Sequence, residues 1–416
     1  MKRFLYYIFT LLSGTILAQA LNVLLIPILT RLYLPEEMGL SGAFIATVLT
    51  LAVGINGGYE MAIMLPKEDE NALKIKRLSL FMATALALLS LIIAILVGEL
   101  GLKQSKFSAL YGWHLLLPVS LWLEGLTQAL RFWLNRQQAY RFLSLGKIAN
   151  ALVRNGFCVL LGYQFPFFWV LILAFILGQI ANLLPILWGI WKAKTAIFPI
   201  RLKEISHLFL EYQDFTRFGI LSAWLNQAAK QLPIFILPLF YSLEIEGWYI
   251  HADKVLMIPM LVAVTVGEVY YQQATAAAQE SDAALWLLTK KTTLLLLGLA
   301  SLPTAILMMG GAPLFAYLFG KHYAMAGEYA QWLAPVMFMM FLASPLSYLI
   351  DIRRKLNYFL FYNLFAFFIR ILVLYPACKF YPILVTLKIY SATSCVLIIF
   401  QLAYLLHLAY QEKTDK

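Results

Sequence analysis

Charge is scarce in this chain. Of 416 residues, 13% are Asp, Glu, Lys or Arg and 62% are hydrophobic, whereas soluble domains carry about 25% charged residues and about half apolar ones. A soluble globular protein is thereby excluded, and an integral membrane protein is expected. Polar connections are short as well. The longest, roughly residues 191–214, cannot fold as a domain by itself. There are only three cysteines, Cys158, Cys378 and Cys395, and all lie in apolar stretches; they read as small packing residues and not as a disulfide framework. Five histidines, His114, His207, His251, His322 and His407, are scattered without ligand spacing, so neither a metal nor any other cofactor is expected. No G-x-x-x-x-G-K run occurs, which argues against an internal phosphate-loop ATPase. Acids are the rarer sign, 21 against 32 lysines and arginines. In a membrane protein that net charge of +11 is first a topology signal, not a nucleic-acid footprint.

What the chain has in abundance is long apolar runs. A spanning helix needs about 20 mainly apolar residues, and twelve stretches qualify: 5–30, 39–64, 78–99, 109–131, 143–163, 168–190, 215–241, 247–271, 292–311, 329–350, 357–378 and 383–406. Lys2-Arg3 and the small residues around Ala18-Gln19-Ala20 imitate a signal peptide, but the apolar run continues to Leu29, longer than such a peptide's core. It reads as a retained first helix. With the N-terminus inside, 22 of the 32 basic residues fall in inner connections and five in outer ones. That asymmetry places both termini in the cytoplasm.

The sequence also matches itself. Shifted by 208, Gln19-Ala20 falls on Gln227-Ala228, Ile28-Leu29 on Ile236-Leu237, Tyr33 on Tyr241, Glu36 on Glu244, Gly39 on Gly247 and Glu60 on Glu268. Arg154 precedes Pro166 by twelve residues, and Arg370 precedes Pro382 by the same number. An all-α polytopic protein follows, with two six-helix halves, 1–200 and 201–416, entering the membrane in the same direction. Their pseudo-twofold axis would lie along the membrane normal. Transporters built in this way bind substrate between the halves near mid-depth.

Five basic residues lie inside these spans: Arg154, Lys230, Lys254, Arg370 and Lys388. Charge at that depth is costly and marks a wet cavity, a path or a partner. Arg154 stands ~16 Å and Arg370 ~20 Å into their helices at 1.5 Å per residue, too deep to snorkel, and guanidinium offers planar bidentate donors suited to phosphate. The plainer alternative is a structural ion pair, for instance Arg154 with Glu124. Lys230 belongs to a polar set with Asn226 and Gln227, and Gln19 and Asn22 are the counterparts in the first half; such a stripe either lines a lumen or glues helices. Lys254 can pair locally or snorkel, and Lys388, near an outer surface, is expected to snorkel. Glu60, Glu124 and Glu268 are candidates for proton or charge coupling, or simply compensate the bases. Gly54-x-x-x-Gly58 has the spacing of a close helix contact.

The stretches Arg31-Leu-Tyr-Leu-Pro-Glu-Glu-Met-Gly39, Gly58-Tyr-Glu-Met-Ala-Ile63, Gly247-Trp-Tyr249 through Lys254-Val-Leu-Met-Ile-Pro259 to Tyr271-Gln272, Leu318-Phe-Gly-Lys321 and Ser344-Pro-Leu346 resemble, in order and over nearly the whole chain, the O-antigen translocase type of polysaccharide flippase. That type belongs to the multidrug/oligosaccharidyl-lipid/polysaccharide (MOP) exporter superfamily. Leu34 before Pro35 departs from the glycine usual there. The resemblance implies a MATE-like fold in a bacterial inner membrane and no enzyme activity. It implies flipping of undecaprenyl-diphosphate-linked oligosaccharide to the periplasmic leaflet for O-antigen, capsule or exopolysaccharide synthesis. The family's cationic lumen would fall on Arg154, Lys230, Lys254 and Arg370. Expected partners are the lipid-linked glycan, membrane lipids, a polysaccharide polymerase and chain-length proteins, with no nucleic acid. The alternatives are a multidrug exporter of the same superfamily, a lipid II flippase, and a membrane polymerase or ligase, which commonly carries a longer external loop.

Overall fold

The computed structural model describes residues 2–66, 68–101, 103, 106–192, 220–353 and 355–410. These residues are helical throughout, with no strand among them. The helices are α1 (Lys2–Leu32), α2 (Pro35–Ala52), α3 (Tyr59–Ala62), α4 (Asp69–Leu100), α5 (Leu117–Arg136), α6 (Tyr140–Gly162), α7 (Phe168–Lys192), α8 (Ile220–Phe240), α9 (Leu243–Leu256), α10 (Met260–Glu280), α11 (Asp282–Phe319), α12 (Ala324–Leu346), α13 (Tyr348–Ile352), α14 (Leu356–Phe380) and α15 (Ile383–Tyr410). Contacts divide the chain into two compact units, Met1–Gln231 and Leu232–Lys416. The boundary expected at residue 200 lies outside the described residues, as do residues 215–219 of the seventh expected span.

Among the described residues, seven helical stretches are long and apolar enough to cross a membrane: Gly14–Leu32, Asp69–Glu99, Phe168–Lys192, Asp282–Phe319, Lys321–Ile352, Asn357–Phe380 and Ile383–Tyr410. An eighth is the pair α9 and α10, bent by 41°. The other expected spans fall on α2 with α3, α5, α6 and α8, which carry a break or several polar residues. Charge inside a helix lowers its apolar score without moving it out of the membrane, provided the polar face is turned to protein or water.

Two spans expected to be continuous are broken. The second ends at Ala52 and resumes at Tyr59, and Gly57 and Gly58 between them adopt φ of 67° and 77°. Only glycine takes that conformation at no steric cost. Gly54 and Gly58 therefore make a turn and not the helix contact their spacing suggested. Asn56 holds this turn: its Nδ2 donates to the Ser79 Oγ at 2.9 Å and to the Gly125 carbonyl at 3.0 Å, tying it to α4 and α5. The other break separates α9 from α10 before Pro259. Proline here removes a donor and crowds the preceding turn.

In unit 1, α6 lies between α1 and α7, while α5 touches α4, α7 and α2. In unit 2, α12 is central and packs on α11, α15, α9 and α10. Backbones meet most closely where Gly311 of α11 faces Gly327 of α12; a Cβ built on Gly311 would stand 2.5 Å from the Gly327 carbonyl oxygen. Such close approach gains dispersion contacts where lipid gives no hydrophobic drive to associate.

Candidate functional site

Within unit 1 the polar residues form two groups. The first follows the seam of α1 and α6. Lys147 donates to the Thr15 hydroxyl at 2.9 Å, Asn155 to the Asn22 amide oxygen at 2.7 Å, and Tyr33 to the Cys158 carbonyl at 2.8 Å. Asn22 is thus engaged in joining helices, the glue role open for it from sequence. Gln19, one turn earlier, is half-buried. Arg154 sits on α6 against α7, where the missing side chain of Gly178 makes room: a Cβ there would lie 3.0 Å from that of Arg154. Its guanidinium carbon is 5.4 Å from the centre of the Phe175 ring. Among the described residues no carboxylate forms an ion pair with it.

The second group explains why Glu124 does not pair with Arg154. Gln179 of α7 accepts from the Ser120 hydroxyl at 2.6 Å and points its amide at Ser120 and Glu124, while Gln128 reaches the other Glu124 oxygen at 3.4 Å. Glu124 is therefore held by amide donors from α5 and α7. Glu60 is buried with one carboxylate oxygen unpartnered, and Arg131 is the cation within its electrostatic reach. On α8, Asn226 and Gln227 are half-buried and Lys230 is exposed.

Within unit 2, Arg370 of α14 is half-buried, and its Nε is enclosed without an acceptor. No carboxylate among the described residues pairs with it either. Around it stand Tyr249, Tyr362 and Tyr390, phenols within reach of its charge. Asp253 of α9 also lies within electrostatic reach of Tyr249 and Tyr390, so the cluster holds a carboxylate near the cation, and the phenols and the guanidinium supply donors suited to an anionic group. Lys254 is exposed on α9. Lys388 is exposed too, with its Nζ 4.0 Å from the centre of the Trp332 ring, a cation–π contact that removes it from the set. Glu268 lies on α10, its side chain outside the described set. A small apolar cavity of about 30 Å³ at the α9–α10 bend is lined by Leu256, Pro259, Pro303, Met337 and Phe341 among others, and holds none of these polar residues. No group of side chains fit to hold a metal occurs among the described residues.

A family model described as polysaccharide biosynthesis protein matches residues 28–327. The chain belongs to that family. No curated protein sequence matches it. Among solved structures, this polysaccharide biosynthesis protein is similar to an inward-facing multidrug resistance MATE transporter of the MOP superfamily. The TM-score is 0.78 at 16% identity, over 96% of each chain. The inward-closed lipid II flippase MurJ matches with a TM-score of 0.74 at 14% identity, over 97% of this chain and 87% of that one. A MOP superfamily transporter from Pyrococcus furiosus, described as having a binding pocket of reverse polarity, matches with a TM-score of 0.67 at 13% identity, over 97% of this chain and 96% of that one. At such identities the likeness gives the fold, which is that of MOP transporters and flippases in a multi-pass membrane protein.

Three buried ionisable residues of this family member escaped the sequence reading. Glu246 is fully enclosed with both carboxylate oxygens unpartnered, His251 is enclosed with its Nε2 unpartnered, and Lys76 lies 4.6 Å from the Trp133 ring centre. Glu246 and Lys76 sit beside other charges, Glu244 and Arg77, near the ends of apolar runs, where sequence alone reads a solvated helix terminus. The repeat gave no help: Glu246 aligns with Met38.

Proposed function

We propose that the protein flips undecaprenyl-diphosphate-linked oligosaccharide from the cytoplasmic to the periplasmic leaflet of a bacterial inner membrane, with both termini in the cytoplasm. The two arginines carry the reading: Arg154 and Arg370 lie deep in their helices, and neither has a carboxylate partner among the described residues. A cation at that depth without an ion-pair partner is costly, and a diphosphate that arrives with the cargo relieves that cost. The two residues stand in the two halves, 1–200 and 201–416, which would rock for alternating access. Lys230, Lys254, Asn226, Gln227 and Gln19 would supply the further cationic and polar contacts to the cargo. Asn22 serves chiefly to hold α1 on α6.

The membrane potential favours the direction. Outward transfer of negative charge gains about 2.3 kcal/mol per charge per 100 mV, so a diphosphodiester with roughly two charges gains about twice that without any coupled ion. Membership of the polysaccharide biosynthesis family supports this cargo class. The structural likeness to MurJ brings lipid II forward as the second cargo. A multidrug exporter fits less well, because organic cations require an acidic cavity and the arginines present the opposite charge.

The test is the double variant Arg154→Ala/Arg370→Ala in the parent bacterium. Surface polysaccharide should disappear while the protein remains in the membrane at its usual level. Normal polysaccharide would overturn the cavity assignment. Loss of cell-wall synthesis with polysaccharide intact would instead establish lipid II as cargo.

A further inference from the structure

The most anomalous group in the molecule is Glu246, in the first turn of α9. It has no exposed surface, and neither carboxylate oxygen has a hydrogen-bond partner. Among the described residues no cation forms an ion pair with it. An ionised carboxylate in that setting has lost its hydration and received nothing in return, which is among the most unfavourable arrangements a protein can hold. The neutral acid has no such cost.

The neighbours offer no counter-charge. On α9 itself the titratable residues are Glu244, Tyr249, His251, Asp253 and Lys254. On α12, which packs against α9, they are Glu328 and Tyr329, and the turn before it brings Lys321, His322 and Tyr323. The end of α11 brings Tyr317, which is exposed, and Arg370 of α14 and Tyr390 of α15 stand within reach of Tyr249 on the same helix. None of them bonds to Glu246. His251, the nearest basic group on the same helix in sequence, is itself enclosed by Phe315, Phe319 and Tyr323 with ring centres 5.8, 4.7 and 4.6 Å away. A second charge in that apolar box would be as costly as the first.

Two features connect this acid to motion. The helix is fastened to its neighbours by Trp248, whose indole N–H donates to the His322 carbonyl at 2.7 Å and whose ring meets Tyr329 edge-on. Ten residues beyond Glu246, α9 ends at the bend before α10. A short helix ending at a break is an element that can swing as a body.

We propose that Glu246 is a proton-binding site of unit 2, occupied in the conformation seen here, and that its ionisation obliges α9 to leave α12. The acid gives its proton to water, and the carboxylate left behind then needs solvent or donors that the closed interface lacks. Loss of one proton and opening of the α9–α12 interface are a single event. Either membrane face can therefore bias the conformation of the unit through its pH. This stands independently of the cargo assigned above, because the switch operates without any substrate.

The experiment follows the opening directly. In the full-length protein in proteoliposomes, with Cys158, Cys378 and Cys395 replaced by serine, Ala252→Cys places a thiol on the fully buried part of α9. Its alkylation by a permeant maleimide is normalised to that of Glu280→Cys, an exposed site at the end of α10. Normalised labelling should rise by about tenfold per pH unit below the midpoint, the slope of a one-proton equilibrium. Glu246→Gln, which keeps the shape of the neutral acid, should label slowly at every pH. Glu246→Asp should keep the transition at a displaced midpoint. Labelling that is flat in the parent protein, or that still rises with pH in Glu246→Gln, overturns the proposal.

Discussion

The junction of α1 with the end of α6 permits a quantitative test of the packing. Tyr33 is 1% exposed and donates to the Cys158 carbonyl at 2.8 Å. A Cβ built on Gly162 would stand 2.7 Å from that hydroxyl oxygen and 2.9 Å from the ring carbon bearing it. Tyr33→Phe removes one buried neutral hydrogen bond, a loss of about 1 kcal/mol, or nearer 0.6 if the averages for helices in lipid apply. Gly162→Ala expels the hydroxyl from its place, so it forfeits the same bond and adds an overpacking penalty of about 1–3 kcal/mol. In the double variant the bond can be lost only once and the closest clashing atom is gone. The combined effect should therefore fall short of the sum of the single ones by about 1 kcal/mol. Equilibrium unfolding in mixed micelles, with helicity as the probe, measures all four corners of this cycle. Additive effects would refute the reasoning, because they would mean that Gly162 does not leave its space for the Tyr33 hydroxyl.

Two further outcomes follow from single contacts. Glu37 accepts from the Phe168 N–H at the start of α7; burial raises its carboxyl above the ordinary value, the bond from Phe168 opposes this and Glu36 adds to it. Between the ordinary and the raised value the folded state binds more protons than the unfolded one, so stability is full below that window and declines as pH rises through it. The difference in melting temperature between the parent protein and Glu37→Gln should therefore shift against the parent over the same interval, and a constant difference would contradict the assignment. Lys388→Ala should leave surface polysaccharide unchanged, since its charge rests on Trp332; loss of polysaccharide would return Lys388 to the transport path.

The helices and their number were legible because lipid demands long apolar runs, and the charges within them were legible because lipid penalises each one. The breaks at Gly57-Gly58 and before Pro259 were not. A break in a span is decided by what holds the turn, here the Asn56 amide donating to Ser79 and Gly125 in two other helices far away in sequence. The partners of the polar residues were equally hidden. Glu124 and Arg154 looked like a pair by depth and sign, but Gln179 and Gln128 meet Glu124 first. Glu246 was hidden for the opposite reason. Beside Ser242 and Glu244 it reads as the start of a solvated helix, and only the packing of α9 on α12 takes it out of water.

The duplication reaches down to individual hydrogen bonds. Tyr33, just past α1, donates to the Cys158 carbonyl near the end of α6. Tyr241, its counterpart just past α8, donates to the Tyr381 carbonyl at the end of α14 at 2.7 Å and is hydrogen-bonded to the Thr386 hydroxyl at 2.8 Å. In each half, then, the first helix of the repeat is fastened to the exit of the fifth by the same residue type. Where the copies diverge, the direction is informative. Asn22, which serves to join helices, aligns with Lys230, and Met38 aligns with Glu246. A framework bond can be copied unchanged, because both halves need the same joint. Charged residues confined to the second copy cannot be demanded by that shared framework. Glu124 and Lys76 are likewise confined to the first copy, so each half carries charges of its own, and substitutions at Lys230 and Glu246 should alter transport while leaving the joints at Tyr33 and Tyr241 intact.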